Sequence, residues 1–308
     1  MSLKNIKLNF LKSNFILGLI IILYSVSVIA QDLEPRAYAN LPKGTNVLAL
    51  GYGYNKGNLL LDASLPIKDF ELNTQIFAVN YIRSFSLAKK LARVQVTLPL
   101  ADMQGKLLLN GEEVTGSRSG FGDMRIRFGV NLTGSPALDR KSFSQYQQKA
   151  IFGVSLVTSV PTGRYYNDKQ INIGTNRWGF KPEIGISKRF TKIYAEAYVG
   201  TWFYTNNNDY LVGNELKQKP TLSFQAHASY YFKNQMWVGI NTNWYKVGEV
   251  AINGVYTGDT QKDWRLGATF SVPITKMQSV RLQYHTGIYA DLGLNYDSLT
   301  LAYQYVFF

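Results

Sequence analysis

Apolar and polar side chains alternate along most of the chain, most cleanly between Gly122 and Leu132. Met124, Ile126, Phe128, Val130 and Leu132 fall on one side of the alternation; Asp123, Arg125, Arg127, Gly129 and Asn131 fall on the other. A strand sends successive side chains to opposite faces, so this run predicts a strand with one oily and one strongly polar face. Ala92, Val94, Val96, Leu98 and Leu100 alternate in the same way with Arg93, Gln95 and Thr97. So do Leu222, Phe224, Ala226, Ala228, Tyr230 and Phe232 with Ser223, Gln225, His227 and Ser229. Further on, the polar frame carries Arg265, then Arg281, Gln283 and His285.

Twelve such segments are expected, near 44–56, 70–83, 91–101, 121–133, 148–161, 177–188, 192–205, 220–233, 235–247, 263–274, 279–291 and 296–308. Their connections alternate in length. Long loops are expected near 57–69, 102–120, 162–176, 206–219 and 248–262, and tight turns near 84–90, 189–191, 234 and 275–278. The stretches 134–147 and 292–295 break that alternation, one long and one short. An even strand number, one oily face and short turns on one rim predict an all-β, transmembrane antiparallel up-and-down β-barrel of about 12 strands. Closure leaves no backbone edge facing lipid. A soluble β-sandwich also alternates, but its exposed face is usually richer in Lys and Glu than these oily faces are.

The first thirty residues follow a different pattern. Lys4, Lys7 and Lys12 precede an apolar run from Phe15, and Val28 and Ala30 precede Gln31. That is the architecture of a secretory signal peptide cleaved near Ala30/Gln31. The expected organisation is therefore a leader over 1–30, a short periplasmic N-terminal segment over 31–43 and a barrel over 44–308. The chain has no cysteine, which excludes disulfides, thiolate metal sites and cysteine nucleophiles. Charged residues make up only 17% and aromatic residues 14%, with 21 tyrosines. Tyr and Trp settle where a membrane meets water. Tyr52, Tyr54, Trp178, Trp244 and Trp264 cluster toward the long-loop ends of the segments; Tyr81, Tyr230, Phe232, Tyr305 and Phe307 cluster toward the short-turn ends. The final residues, with Tyr303, Tyr305, Phe307 and Phe308, resemble the signal read by the barrel-assembly machinery of bacterial outer membranes.

The formal charge of +13 would by itself suggest nucleic acid. Its placement argues otherwise. Eleven basic residues, from Arg83 to Lys276, lie on the short-turn rim against Asp139 alone. Beside anionic headgroups each basic residue is favoured by about 1 kcal/mol. The expected partner is thus outer-membrane lipid, with no nucleic acid. The polar face contributes candidate lumen positions: Arg93, Asp123, Arg125, Arg127, Lys181, Glu183, Glu196, His227, Arg265 and Arg281, interleaved with Tyr194, Tyr198, Tyr231, Tyr245 and Tyr289. Arginine beside aromatic faces suits carboxylates, sugars and aromatic acids; equally, these cations could pair with Asp123, Glu183 and Glu196 and brace the wall.

Catalysis is not expected. A twelve-stranded membrane phospholipase uses serine and histidine, and Ser223 and Ser229 share a face with His227, but no third orienting residue is evident. Two histidines do not make a metal site, and Gly51-Tyr52-Gly53 precedes no helix that would make it a phosphate loop. No cofactor is expected.

Three stretches carry a family resemblance. The first is Glu34-Pro35-Arg36-Ala37-Tyr38-Ala39-Asn40, followed by Pro42, Gly44 and Asn46. The second is Phe121-Gly122-Asp123-Met124-Arg125-Ile126-Arg127-Phe128. The third runs from Pro161-Thr162-Gly163-Arg164-Tyr165 through Asn172-Ile173-Gly174-Thr175-Asn176-Arg177-Trp178 to Lys181-Pro182-Glu183. Together they resemble the outer-membrane transporter family associated with the meta-cleavage pathway of phenol degradation. The resemblance implies a Gram-negative outer-membrane channel for passive uptake of small organic solutes, aromatic compounds in particular. It marks Arg125, Arg127, Arg177, Trp178 and Glu183 as candidate lumen or loop-constriction positions. The cationic lumen frame keeps an anion-preferring porin for acidic sugars or oligosaccharides open. A non-conducting structural or adhesive barrel would follow if the 102–120 and 162–176 loops fold inward.

Overall fold

The computed structural model describes residues 34–59, 67–109, 112–169, 171–256, 258, 260–290 and 294–308; the leader expected over 1–30 lies outside the described residues. The first strands are β1 (Asn46–Leu59), β2 (Ile67–Leu87), β3 (Lys90–Leu109), β4 (Glu112–Phe121) and β5 (Met124–Thr133), after which comes a short helix α1 (Arg140–Gln145). Next are β6 (Ile151–Val160), β7 (Gly179–Phe190), β8 (Ile193–Tyr204), β9 (Asn207–Tyr210), β10 (Asn214–Gln218), β11 (Thr221–Tyr231) and β12 (Trp237–Val247). The chain ends with β13 (Val250–Ile252), β14 (Val255–Tyr256), β15 (Gln261–Pro273), β16 (Gln278–Ala290) and β17 (Leu294–Phe307). All strands except β4, β9, β10, β13 and β14 form one antiparallel wall of twelve, each paired with its neighbour in chain order. The wall closes where β1 pairs with β17, from Asn46↔Phe307 to Leu59↔Leu294.

Burial in this barrel is inverted relative to a water-soluble fold. Leu50, Phe77, Ile186 and Ile240 are 52%, 54%, 55% and 64% exposed on the outer face, whereas Lys181 and Arg265 are 0% exposed inside. Fully burying Lys or Arg is costly unless each is paired. In a bilayer the same distribution is favourable: the oily face meets hydrocarbon and the charges pair on the lumenal side. The short rim is turned economically. Ala88 and Lys89 join β2 to β3 with φ of 47° and 63°, as a two-residue hairpin with both central residues left-handed requires.

Three expected loops are built from strands. In the stretch expected as a loop over 102–120, β3 continues to Leu109 and β4 returns along it from Leu109↔Glu112 to Leu100↔Phe121. About ten tilted residues cross a membrane, so the 21 residues of β2 and 20 of β3 stand well clear of it. The partner of β3 changes at its middle, from β5 over Ala92–Thr97 to β4 from Leu100 onward. The change falls at Pro99, which has no N–H to give; its carbonyl accepts from Gly122 N at 2.9 Å. The second case is the pair of stretches 206–219 and 248–262, where β9, β10, β13 and β14 form a separate four-stranded sheet. Within the long 134–147 connection, Asp139 caps α1 by accepting from Ser142 N at 2.8 Å.

Period-2 counting also fails once within β16. Trp264 pairs with Tyr289 while Arg265 pairs with Gly287, leaving Ile288 as an extra residue. That bulge shifts the parity, so Tyr289 shares the outer side with Trp264 and is 55% exposed instead of lining the lumen.

Candidate functional site

The lumen is occupied near the short-turn rim by the chain itself. Residues 31–43 are expected in the periplasm, yet from Glu34 to Asn40 the segment lies inside the barrel, bonded to several strands. Arg93, on β3, donates from Nη1 to Ala37 O and from Nη2 to Ala39 O, each at 2.6 Å. Asn131 Nδ2 donates to Tyr38 O at 3.3 Å. Arg36 donates its backbone N–H to Glu196 Oε2 at 2.9 Å and Nη1 to Oε1 at 3.4 Å, with its guanidinium 3.8 Å from the Tyr194 ring centroid. Glu34 accepts from Arg127 Nη1 at 2.7 Å and from Gln95 Nε2 at 3.4 Å. The physical reason for this placement is charge matching: wall cations and a wall carboxylate, costly to bury unpaired, find partners on the segment.

Tyr38 anchors the segment. Its hydroxyl lies 3.0 Å from Ser155 Oγ and donates to Glu183 Oε1 at 3.3 Å, and its ring packs 5.1 Å from that of Tyr198. The ring fits because Gly153 and Gly185 face each other across β6 and β7. A Cβ on Gly153 would sit 2.3 Å, and one on Gly185 2.2 Å, from ring carbons of Tyr38. Arg127 Nη2 also donates to Glu183 Oε1, and Lys181 Nζ lies 3.1 Å from Glu183 Oε2. One cluster therefore unites Arg93, Arg127, Lys181, Glu183 and Glu196 with a segment that sequence reasoning left outside the barrel.

A second group lies toward the long loops. Asp123 accepts from Gly163 N at 2.9 Å and from Thr175 N and Oγ1 at 2.9 and 2.6 Å. It thereby holds the 161–178 connection against the break between β4 and β5. Arg177 donates to Gln218 Oε1 at 2.5 Å, tying that connection to β10. Beneath these loops is a cavity of about 210 Å³. Its wall includes Ile76, Pro99, Met103 and Trp202, with Asp123, Arg125 and Arg177 at the polar end. Trp202 and Tyr204 stack at 5.9 Å and 7°; Arg125 lies 6.0 Å from the first ring and Arg177 4.4 Å from the second.

The remaining candidates lie elsewhere. Trp178, 43% exposed, stacks on Phe180 at the outer face and does not line the lumen. His227 Nδ1 lies 2.9 Å from Asn241 Oδ1, and Ser223 Oγ donates to Gly200 O, not to the histidine. Arg265 stacks 3.6 Å over Tyr296 and Arg281 lies 5.3 Å from Trp237, both on the wall built from β12 to β17. Among the described residues no group of three or more His, Cys, Asp or Glu side chains is placed to hold a metal. The apolar wall residues Ile76, Pro99 and Met103 were not among the sequence candidates. Their signal is on β3, whose inner positions change from Arg93, Gln95 and Thr97 to Pro99, Ala101 and Met103.

The family model described as "Putative MetA-pathway of phenol degradation" matches residues 46–303. Among solved structures, the chain is similar to the COG4313 outer membrane channel from Pseudomonas putida F1, at 19% identity and a TM-score of 0.77 over 90% of this chain and 100% of that one. The β domain of the Bordetella autotransporter BrkA is more distant, at 11% identity and a TM-score of 0.50 over 86% and 100%. These likenesses bear on the fold, an outer-membrane barrel. No curated protein matches the sequence.

Proposed function

The chain belongs to the phenol-degradation MetA-pathway family, and from that premise we propose that it is a passive outer-membrane channel for small organic solutes, aromatic compounds in particular. The observation that carries the reading is the cavity beneath the long loops, about 210 Å³ and largely apolar. A cavity of roughly 150 Å³ already takes benzene. Arg93 and Arg127 would be the obvious contacts for an acidic oligosaccharide, but they are engaged by Ala37, Ala39, Glu34 and Glu183. That favours the small-solute reading over the sugar porin.

The protein acts without catalysis in this reading. It is exported by the leader, cleaved near Ala30/Gln31, and inserted by the barrel-assembly machinery through Tyr303, Tyr305, Phe307 and Phe308. Residues Glu34 to Asn40 form the constriction a solute must pass. Single-channel recording of the refolded barrel tests this. Openings that an aromatic solute blocks reversibly are expected; a folded, heat-modifiable barrel that never conducts would replace the channel with a structural role.

A further inference from the structure

We propose that the groove on the outer wall across β11, β12, β15 and β16, beside the short-turn rim, is a binding site for an anionic phospholipid. Its acyl chain lies in the groove, and Lys192 and Lys233 receive its phosphate. The site faces lipid and not the lumen, so it does not rest on the channel reading.

Three observations support it. The first is the groove itself. Tyr230, Val238, Phe270 and Leu282 are paired in register as one row across the four strands. The next row, farther from the rim, is Ala228, Ile240, Ala268 and Tyr284. There the two alanines offer only methyl groups on either side of Ile240, beside the large side chains of the first row. The space left is about 540 Å³ and lined almost wholly by apolar atoms, with Ile193 on its β8 side. Lipid tails are as apolar as this wall, so the groove does not by itself select one lipid over another. It holds a chain by close contact, and selection falls to the headgroup.

The second is the charge at the rim end. Lys192 Nζ lies 5.9 Å from the ring centroid of Tyr230, a groove residue. Lys192 O accepts from Tyr231 N at 2.8 Å, which holds the β7–β8 turn against the end of β11. Lys233 follows two residues later, in the turn that Phe232 N closes by donating to Met236 O at 2.8 Å. Both lysines are exposed, and the turns over 190–193, 232–236 and 274–277 contain Lys192, Lys233 and Lys276 and no Asp or Glu. A phosphodiester is the complement of such a rim. A second copy of the chain, seated on the same face about a symmetry axis, would instead bring lysines toward lysines.

The third is depth. Tyr230 and Phe232 pack edge to face at 5.1 Å and are 37% and 43% exposed on the outer side. Tyrosine settles at the level of the headgroups. The lysines therefore stand beside the phosphates, and the groove runs from there into hydrocarbon.

The test is native mass spectrometry of the delipidated, refolded mature barrel with phosphatidylglycerol and, separately, with phosphatidylethanolamine carrying the same chains. Phosphatidylglycerol is expected to bind at a single saturable site, about tenfold more tightly than phosphatidylethanolamine. A basic residue beside anionic headgroups is worth about fivefold, so Lys192→Gln combined with Lys233→Gln should weaken phosphatidylglycerol about 20-fold. Phosphatidylethanolamine should bind that variant unchanged. Lys149→Gln, on the same rim but ahead of β6, should change neither. Ala268→Trp fills the groove and should remove both lipids. The lysine variants alter exposed turns only, so they keep the test decisive if the Ala268→Trp barrel does not fold. Equal affinities for the two lipids, or a loss in Lys149→Gln as large as in the double variant, would overturn the site. So would a dimer in detergent that Ala268→Trp makes monomeric, which would give the groove to a second copy.

Discussion

Glu34 Oε2 lies 2.7 Å from Arg127 Nη1, so the segment ahead of the barrel sets its own carboxylate on a lumenal arginine. Arg127 keeps a second carboxylate, Glu183, on its other nitrogen. The contact with Glu34 can therefore break without leaving the arginine unpaired. Glu34→Gln should loosen the segment and raise the open fraction in single-channel records by about tenfold, since a hydrogen bond to a charged group is worth about 1.5–3 kcal/mol. Unchanged gating would mean that the segment is held elsewhere.

Elsewhere means first of all Tyr38. Gly185→Ala would place a methyl carbon 2.2 Å from a ring carbon of Tyr38 and 2.8 Å from one of Tyr198, so the Tyr38 ring must move. The expected result is a barrel that still folds, because the methyl points into the lumen, with the segment displaced and accessible to added protease. Combining Gly185→Ala with Tyr38→Ala should restore protection in part, which a general folding defect would not allow.

Asp123→Ala should free the 161–178 connection while leaving β5 intact. It strips partners from Gly163 N and Thr175 N, and an unsatisfied buried donor costs about 1–3 kcal/mol. Trypsin cleavage after Arg164 should accelerate severalfold; an unchanged rate would show that other contacts, such as Arg164 N to Phe121 O at 2.7 Å and Tyr165 Oη to Asp209 O at 3.1 Å, hold the connection.

The long-loop sheet should respond to acid. Lys219 Nζ donates to Glu249 Oε2 at 2.6 Å, beside the pairing of β10 with β13. That hydrogen bond, helped by Gly258 N–H, holds the Glu249 carboxyl below its ordinary value. A depressed carboxyl contributes stability above the ordinary carboxylate range and loses it as pH falls through the lowered value. Amide protection factors in β10 and β13 should therefore stay constant from neutral pH down to the ordinary carboxylate range, about 4.3, and fall only below it. In Glu249→Gln the acid-dependent step should disappear; if it persists, another carboxylate is responsible.

Much of this architecture was legible in the alternation of side chains. Runs such as Met124 to Leu132 have one oily and one charged face, and only a barrel in lipid satisfies both. The projecting β3–β4 hairpin was not legible, because Glu112 to Gly120 has Val114 as its one large apolar residue and so no oily face to betray a strand. Tyr289 was misplaced by a single bulged residue, which period-2 counting cannot sense. The lumen cations were found, but not what they hold. The segment from Glu34 to Asn40 has no periodicity, and its partners come from β3, β5, β6, β7, β8 and β11 at once. A faint signal was present in Gly153, between Ile151 and Ser155 on one face of β6, and in Gly185, between Glu183 and Ser187 on one face of β7: two inward positions without side chains.

Those two glycines and Tyr38 make one lock spread over three distant points of the chain. A substitution at any one alters what the other two can tolerate. Descendants that enlarge either glycine would have to shrink the residue at 38, and the barrel would pass from a stoppered vessel to an open pipe in the same lineage.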